Sequence, residues 1–285
     1  MPGRYPEKND REAARVRSEK VRARFVIACL LALVMRADAK NWPSPAAGVT
    51  MTGDPELILT FDDGPHPTLT PLVLDILAQH HIKAVFFVVG WRSVRKEAPA
   101  IFARMLREGH IIANHTMNHR DLCRLDDPIE SAKEIDQAKA SIEKASGWRV
   151  TWFRTPYGVR CDLVDQLLAE RHLTHFHWDL DPQEWRRGSR KKTVEYLTKV
   201  LGKMTGRNVL LMHDTKRTTV EVLPEILDFI EAENARRKEL RMRRIRVIQS
   251  WEIAVEQMPP GLLDWLAAVT PSRHGVASAI ASVLP

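Results

Sequence analysis

The chain has 285 residues, 44% of them hydrophobic and 28% charged, which is typical of a folded globular protein and excludes a low-complexity chain. Its formal net charge of +7 favours acidic surfaces such as nucleic acid, anionic membranes or anionic wall polymers. Basic clusters lie at residues 1–24 and 236–246, but neither has the interleaved aromatic residues or zinc-finger spacing of a nucleic-acid reader. We therefore expect no nucleic-acid partner.

An unbroken run of 11 apolar residues at positions 25–35 follows a basic leader. This length suits the core of a signal peptide and is shorter than the roughly 18–20 residues that span a bilayer. Ala37-Asp38-Ala39 offers a cleavage site, after which the mature chain would begin at Lys40. A short buried helix, or an uncleaved anchor that attaches the protein to a membrane, is the alternative. We expect export to the periplasm, the cell surface or the medium.

The three cysteines limit the redox chemistry of the chain. Cys29 lies in the apolar run and would leave with a signal peptide. Cys123 and Cys161 have no CxxC spacing, which excludes a cysteine-rich zinc site. In an oxidising compartment these two could pair, and two separate buried thiols are the alternative.

The predicted elements begin after a linker at residues 40–54 that is rich in proline and glycine. Short apolar runs predict seven strands, at 57–61, 85–89, 111–113, 150–153, 175–178, 209–212 and 245–248. Amphipathic patterns predict helices between them, at 70–80, 97–109, 128–145, 161–172, 190–204 and 219–239. Thr70-Pro71 and Asp127-Pro128 predict two of the helix starts. We interpret residues 259–285 as a C-terminal tail, which could include one more packed helix.

Strands that alternate with helices predict a parallel sheet with crossover helices. An open doubly wound sheet and a closed barrel both satisfy this pattern, and periodicity does not separate them. In a parallel barrel the loops after the strands converge on one face, where active sites are found. The residues that follow each predicted strand are therefore the candidate functional residues.

Asp62 and Asp63 follow the first predicted strand, in the segment TFDDGP. Adjacent carboxylates inside a strand point to opposite faces, but at a strand end followed by Gly-Pro both can reach one cavity. Taken alone, Asp-Asp-Gly-Pro is more commonly a surface turn.

His115 and His119 follow the third predicted strand, in the segment HTMNH. Histidines four residues apart lie on one face of a helical turn and can ligate a single ion, although a chance surface pair has the same spacing. A carboxylate from another strand would complete a His₂-Asp set with coordination positions open for water and substrate. Zn²⁺ is the default ion for such a set, which also accepts Co²⁺, Ni²⁺ or Mn²⁺.

Three more segments follow the fourth, fifth and sixth predicted strands, namely RTPYG from Arg154, DLDPQEW ending at Trp185, and LMHD with His213. A buried arginine beside a carboxylate would hold that carboxylate ionised. A lone histidine at a strand end is more often structural than catalytic, but the position of His213 matches those of the other segments. We therefore interpret it as functional.

In order and spacing these five segments resemble the five motifs of the polysaccharide deacetylases of carbohydrate esterase family 4, whose catalytic unit is the NodB-homology domain. The resemblance covers about residues 55–255, and we place the domain at 55–258. It implies an α/β fold, a distorted (β/α)₇ barrel of the NodB-homology type. It also implies a metal-dependent hydrolase that removes N-acetyl groups from an N-acetylated polysaccharide, peptidoglycan or chitin-like, and releases acetate.

The resemblance further implies a role for individual residues. Asp63, His115 and His119 would hold the metal ion, with a water on that ion as nucleophile. Asp62 would be the general base, paired with Arg154.

On the other side of the substrate, His213 would be the general acid with Asp181 as its partner. The backbone N–H of Tyr157 would face the developing oxyanion, and Leu211 would line an acetyl-sized pocket. The rings of Tyr157 and Trp185 could also stack against sugar rings.

One residue departs from the family's pattern, because the fourth motif usually ends in Asp-Trp and here ends in Glu184-Trp185. This departure puts in doubt the contact that the outer acid makes. Two alternatives to amide hydrolysis stay open at this point. An O-acetyl esterase of the acetyl-xylan type would use the same machinery, and a non-catalytic glycan-binding protein could be built on the same fold. The presence of every acid, base and ligand argues against the second.

Overall fold

The computed structural model describes residues 53–186 and 190–257. The predicted leader with its signal or anchor segment (1–39), all but the end of the predicted linker (40–54) and the predicted tail (259–285) lie outside the described residues. Within the described part of the chain, no helix combines the length and the apolar character that a membrane crossing requires.

Seven parallel strands form one sheet in the described residues, and each corresponds to a predicted strand. They are β1 (Glu56–Asp62), β2 (Val85–Val88), β3 (Ile111–Asn114), β4 (Trp152–Phe153), β5 (Thr174–His175), β6 (Arg207–His213) and β7 (Arg246–Ile248). β5 is shorter than the predicted 175–178, because the chain leaves β4 after two residues and crosses towards β6.

All six predicted helices are present. The described helices are α1 (Leu69–Gln79), α2 (Gly90–Ser93), α3 (Ala98–Arg107), α4 (Pro128–Ser146), α5 (Asp162–Glu170), α6 (Arg190–Gly202), α7 (Arg217–Glu239) and α8 (Ser250–Glu256). The sequence does not predict α2 and α8, because helices of 4 and 7 residues carry too little periodicity.

Of the two predicted helix starts, one is confirmed and one is wrong. The Asp127 side chain accepts a hydrogen bond from the Ile129 N–H at 2.8 Å and caps α4. Thr70 does not cap α1, which begins one residue earlier. Its hydroxyl instead donates to the buried carboxylate of Asp214.

The sheet curls into a distorted barrel, which decides between the two arrangements left open by the sequence. The strand order is β5-β4-β3-β2-β1-β6, and β7 pairs with β1. Beyond β5, Leu180 pairs with Leu210 of β6 and so brings the two outer strands of the sheet together. The fold is the (β/α) type of the NodB-homology domain, as predicted.

Side chains alternate along β1 and decide what faces the barrel interior. Leu57, Leu59 and Phe61 pack outward in the large core shared with the helices, whereas Ile58 packs in the separate apolar cluster inside the sheet. Thr60 and Asp62 continue the inward series of Ile58, because alternate residues of a strand share a face. Asp62 therefore stands on the interior column at the carboxyl end of β1.

Cys123 and Cys161 form a disulfide, with their Cα atoms 5.9 Å apart. Cys123 lies in a short 3₁₀ turn after β3, and Cys161 immediately precedes α5. The bond therefore links the loops that follow β3 and β4, and it answers the question of pairing that the sequence leaves open.

Replacing both cysteines by serine should lower the free energy of unfolding by about 2–4 kcal/mol. The bridged residues are separated by 38 positions, so opening the loop returns conformational entropy to the unfolded chain. Urea denaturation of the wild type, the double variant and the wild type under dithiothreitol would measure the loss. We expect the last two to agree. A double variant as stable as the oxidised wild type would contradict the prediction.

Candidate active site

The loops after the first three strands are joined to one another by backbone hydrogen bonds. These bonds run from Asp63 N to Phe87 O (3.1 Å), Val89 N to Gly64 O (3.1 Å), His115 N to Val88 O (2.9 Å) and Gly90 N to Thr116 O (2.9 Å). Because the backbone itself sets the spacing of these loops, the side chains at the carboxyl edge of the sheet are held in fixed relative positions.

Asp63, His115 and His119 come together as the sequence predicts, with one ligand atom from each lying within 4.8 Å of the others. Asp63 Oδ1 is 3.3 Å from His119 Nε2 and 3.7 Å from His115 Nε2. The helical turn predicted for the histidine pair is wrong, however. Residues 115–119 form an irregular loop and not a helical turn, and a left-handed backbone at Thr116 and His119 turns both rings to one side.

The donor set fits a divalent metal ion. His115 Nδ1 lies 2.8 Å from the Arg154 carbonyl oxygen, so a proton on Nδ1 leaves Nε2 as the ligand atom. Burial, followed by the charge of His115, lowers the pKa of His119 and favours the neutral imidazole that a metal requires. Asp63 Oδ1 is buried without a hydrogen-bond donor among the described residues, which suits an oxygen that binds a cation.

Several site residues have a left-handed backbone although they carry a side chain. Their φ angles are 75° at Asp63, 66° at Thr116, 57° at His119 and 62° at Tyr157. Such residues cost of order 1–3 kcal/mol each and persist where the surrounding structure fixes them. Their concentration at one edge of the barrel is an independent indication of a functional site.

Asp62 and Arg154 form a buried ion pair, as the sequence predicts. Arg154 is fully buried, and its Nη1 donates to Asp62 Oδ1 at 2.7 Å and to Thr60 Oγ1 at 2.8 Å. Its guanidinium also lies over the Phe87 ring, 4.0 Å from the centroid. Asp62 Oδ2 is 3.5 Å from His115 Nε2, so this oxygen faces the ligand cluster.

The predicted pairing of Asp181 with His213 is wrong, because Glu184 occupies that place. Glu184 is fully buried, and its Oε1 accepts from the His213 backbone N–H at 2.7 Å and lies 2.9 Å from His213 Nδ1. Asp181 Oδ1 instead accepts from the backbone N–H of Gln183 at 2.8 Å. This local turn directs the Asp181 carboxylate back to its own segment.

The contact with Glu184 determines the charge of His213. Burial alone disfavours the protonated imidazole. The hydrogen bond and negative charge of Glu184, with the charges of Asp62 and Asp63, outweigh burial and raise the pKa of His213 to about 9. At neutral pH the ring is therefore protonated and able to give up a proton.

These groups line one open cavity of about 370 Å³. The cavity brings together both sides of the predicted site and the three predicted substrate residues, its lining being Asp62, Asp63, His115, His119, Tyr157, Trp178, Asp181, Trp185, Leu211, His213 and Lys216. Tyr157 and Trp185 are large rings that remain 65% and 46% exposed at its mouth, whereas Leu211 is 4% exposed and lies at its wall.

Sequence reasoning missed two residues at this edge. Lys216 lines the cavity, and its position two residues past the LMHD segment is the signal that could have indicated it. Asp214 is buried beneath the first loop, where a Cβ on Gly64 would lie 2.2 Å from its Oδ2. Burial raises the pKa of Asp214 to about 7, and its Oδ2 accepts a hydrogen bond from the Thr70 hydroxyl in the first turn of α1.

A parallel barrel with a two-histidine, one-carboxylate ligand set beside a buried carboxylate and a protonated histidine defines a hydrolytic enzyme. A family model described as polysaccharide deacetylase matches residues 50–176. The chain is 39% identical over 166 residues to a chitooligosaccharide deacetylase of Sinorhizobium fredii (strain NBRC 101917 / NGR234), covering 57% of this chain and 74% of that protein. The chain belongs to the polysaccharide deacetylase family, as its five motifs predict.

Further relatives agree with this assignment. The chain is 37% identical over 171 residues to the peptidoglycan-N-acetylmuramic acid deacetylase PdaC of Bacillus subtilis (strain 168), covering 60% of this chain and 35% of that protein. The solved structure of peptidoglycan deacetylase PdaC from Bacillus subtilis aligns with a TM-score of 0.58 and 30% sequence identity over 71% of this chain and 91% of that chain.

Proposed function

We propose that the protein hydrolyses N-acetyl groups of an N-acetylated polysaccharide, peptidoglycan or chitin-like, and releases acetate. The observation that carries this proposal is the shared cavity, which has Asp62 and the Asp63–His115–His119 cluster on one side and the protonated His213 on the other. Amide hydrolysis needs a base for the attacking water and an acid for the departing amine, and the cavity offers both.

Asp62 is the proposed general base. Its Oδ1 is held by Arg154 at 2.7 Å, which fixes the carboxylate plane and compensates the charge, while Oδ2 faces the ligand cluster. A water between Oδ2 and the substrate carbonyl can pass its proton to this oxygen as it attacks. Arg154 thus acts through Asp62 and is a positioning residue.

Asp63, His115 and His119 would hold one divalent ion, most simply Zn²⁺. Such an ion supplies Lewis-acid activation of the water and of the acetyl carbonyl. The Tyr157 N–H would donate to the developing oxyanion, and one such donor typically contributes a few kcal/mol. Leu211 would contact the acetyl methyl group, and the exposed rings of Tyr157 and Trp185 would stack on sugar rings.

His213 is the proposed general acid that protonates the departing sugar amine. Glu184 supports this role, because its carboxylate raises the pKa of the ring and fixes the ring orientation through Nδ1. The proton to be transferred is therefore the one on Nε2. Asp181 lines the same cavity without contacting the ring.

Acetate release from peptidoglycan, chitin oligomers and acetyl-xylan would test this function. We expect release from at least one amide substrate, its loss with a chelator, and its recovery when Zn²⁺ is added back. Metal analysis of the purified protein would identify the ion. Release from acetyl-xylan alone would make the protein an O-acetyl esterase, and metal binding without release from any substrate would favour a glycan-binding protein.

We also propose that the protein is exported. The Cys123–Cys161 disulfide supports this proposal, because such bonds persist in oxidising compartments, and so does the apolar run at residues 25–35. Cell fractionation with an alkaline-phosphatase fusion would test it. The phosphatase is active only after its disulfides form in an oxidising compartment, so a fusion that stays in the cytoplasmic fraction without activity would contradict export.

A further inference from the structure

Two arginines lie against one tryptophan on the loop after β2. The guanidinium carbon atoms of Arg92 and Arg95 are 4.5 and 4.6 Å from the centroid of the Trp91 ring. The backbone of this segment is tied to the metal-ligand loop, since Trp91 N–H donates to Met117 O at 3.0 Å. The pair of arginines is therefore held at the same edge of the barrel as the candidate active site.

Lys216 lines the cavity directly, and its charge acts on Asp63, the same carboxylate with which Arg92 interacts. Arg92 interacts electrostatically with Asp63 and Asp214, and both arginines act on His66, where after burial their charges lower the pKa. Arg92, Arg95 and Lys216, which we call the cationic rim, thus lie on the side of the site next to the loop after β1.

The cationic rim has no counterion among the described residues. None of its three side chains forms an ion pair or a hydrogen bond with a carboxylate in that part of the chain. Several arginines elsewhere on the surface are paired, among them Arg104 with Asp75 (2.7 Å), Arg171 with Asp136 (2.6 Å) and Arg207 with Glu56 (2.7 Å).

The two carboxylates that act electrostatically on Arg92 form no ion pair with it. Asp214 Oδ2 accepts from the Thr70 hydroxyl, and Asp63 belongs to the ligand set, where a divalent ion would add two positive charges. Asp62 is already balanced by Arg154. The positive charge of the rim therefore remains available to a ligand, and guanidinium groups bind carboxylates through paired hydrogen bonds.

We propose that the cationic rim is a subsite for a carboxylate on the substrate, so that the enzyme acts on acidic N-acetylated glycans in preference to neutral ones. This inference rests on the proposed function and names its substrate class. The carboxylate would belong to the sugar that carries the acetyl group or to a neighbouring sugar. A lactyl ether and a uronic acid offer the same chemistry to the rim.

Calorimetric binding measurements would test the subsite without relying on turnover. The ligands would be peptide-free peptidoglycan glycan strands, the same strands after carbodiimide amidation of their carboxylates, and an alternating glucuronate–N-acetylglucosamine polymer. For the wild-type protein we expect amidation to weaken binding at least about tenfold. The stronger of the two acidic ligands would identify the lactyl or the uronate carboxylate as the group that binds.

The double substitution Arg92→Gln/Arg95→Gln should remove this difference, so that acidic strands bind as weakly as amidated strands bind to the wild type. Arg95→Gln alone, at an exposed position, should remove part of it. Arg149→Gln is the matched control, because Arg149 is an exposed arginine on the loop that leads into β4, at the opposite edge of the sheet. It should keep the full difference.

Equal binding of acidic and amidated strands by the wild-type protein would overturn the inference, as would an equal loss in Arg149→Gln. Acetate release measured on the same samples tests the proposed function separately. Discrimination by charge without any acetate release would leave the subsite standing and remove the deacetylase. Acetate release from all substrates without discrimination by charge would support the deacetylase and remove the subsite.

Discussion

Replacing Asp62 by asparagine should reduce acetate release by about three orders of magnitude, within the range of about 10²–10⁴ for the loss of a general base. Asparagine has the same shape, and its amide oxygen can still accept the hydrogen bond that Arg154 donates to Oδ1 at 2.7 Å. It cannot take a proton from water at neutral pH. Steady-state kinetics, with metal content determined on the same preparation, would measure the effect.

The metal content decides how this result is interpreted. Asp63 and the two histidines supply the ligand atoms, so Asp62→Asn should keep a full complement of metal. Asp136→Asn, the same change at a carboxylate that pairs with Arg171 away from the site, should leave both activity and metal unchanged. Near-normal activity of Asp62→Asn would refute its assignment as the base, and loss of the metal would make it a ligand.

Much of the candidate site was predictable because parallel strands place their carboxyl ends at one edge. Asp62 and His213 are the last residues of β1 and β6, and Asp63, His115 and Arg154 directly follow β1, β3 and β4. The strands themselves are marked by short apolar runs. Once the strand order is fixed, these side chains have only one edge on which to meet. Chain order and residue type are therefore sufficient to predict that these side chains meet at one edge of the sheet.

The contacts that depend on irregular backbone were not predictable. The histidine pair meets on a loop with left-handed residues, which no periodicity encodes. The Thr70-Pro71 pattern predicts a helix cap, but the Thr70 hydroxyl donates its hydrogen bond to the buried carboxylate of Asp214, 144 positions away. Between Asp181 and Glu184 the choice depends on a turn with φ of 53° at Gln183, which moves one carboxylate away from His213 and the other towards it.

Replacing Glu184 by glutamine should move the loss of activity at high pH to a lower pH. His213 donates its proton only while protonated, so in the wild type kcat/KM should fall as the pH rises through about 9. Without the carboxylate charge, burial of the ring remains and its pKa falls towards or below the ordinary value of about 6.5. At pH 8 this change would lower kcat/KM about thirtyfold, whereas near pH 6 the two proteins should differ little.

Two further variants separate a change in the pKa of His213 from damage to the site. Glu184→Asp keeps the charge but shortens the side chain, so its pH limit should lie between those of wild type and Glu184→Gln. Asp181→Asn removes a carboxylate that lines the same cavity without touching His213, and its pH limit should stay near that of the wild type. Full pH profiles of kcat/KM for the three variants would show which carboxylate controls the acid. If Asp181→Asn moved the limit and Glu184→Gln did not, the contact between Glu184 and His213 would have no part in catalysis, because the charge that keeps the imidazole protonated would come from Asp181.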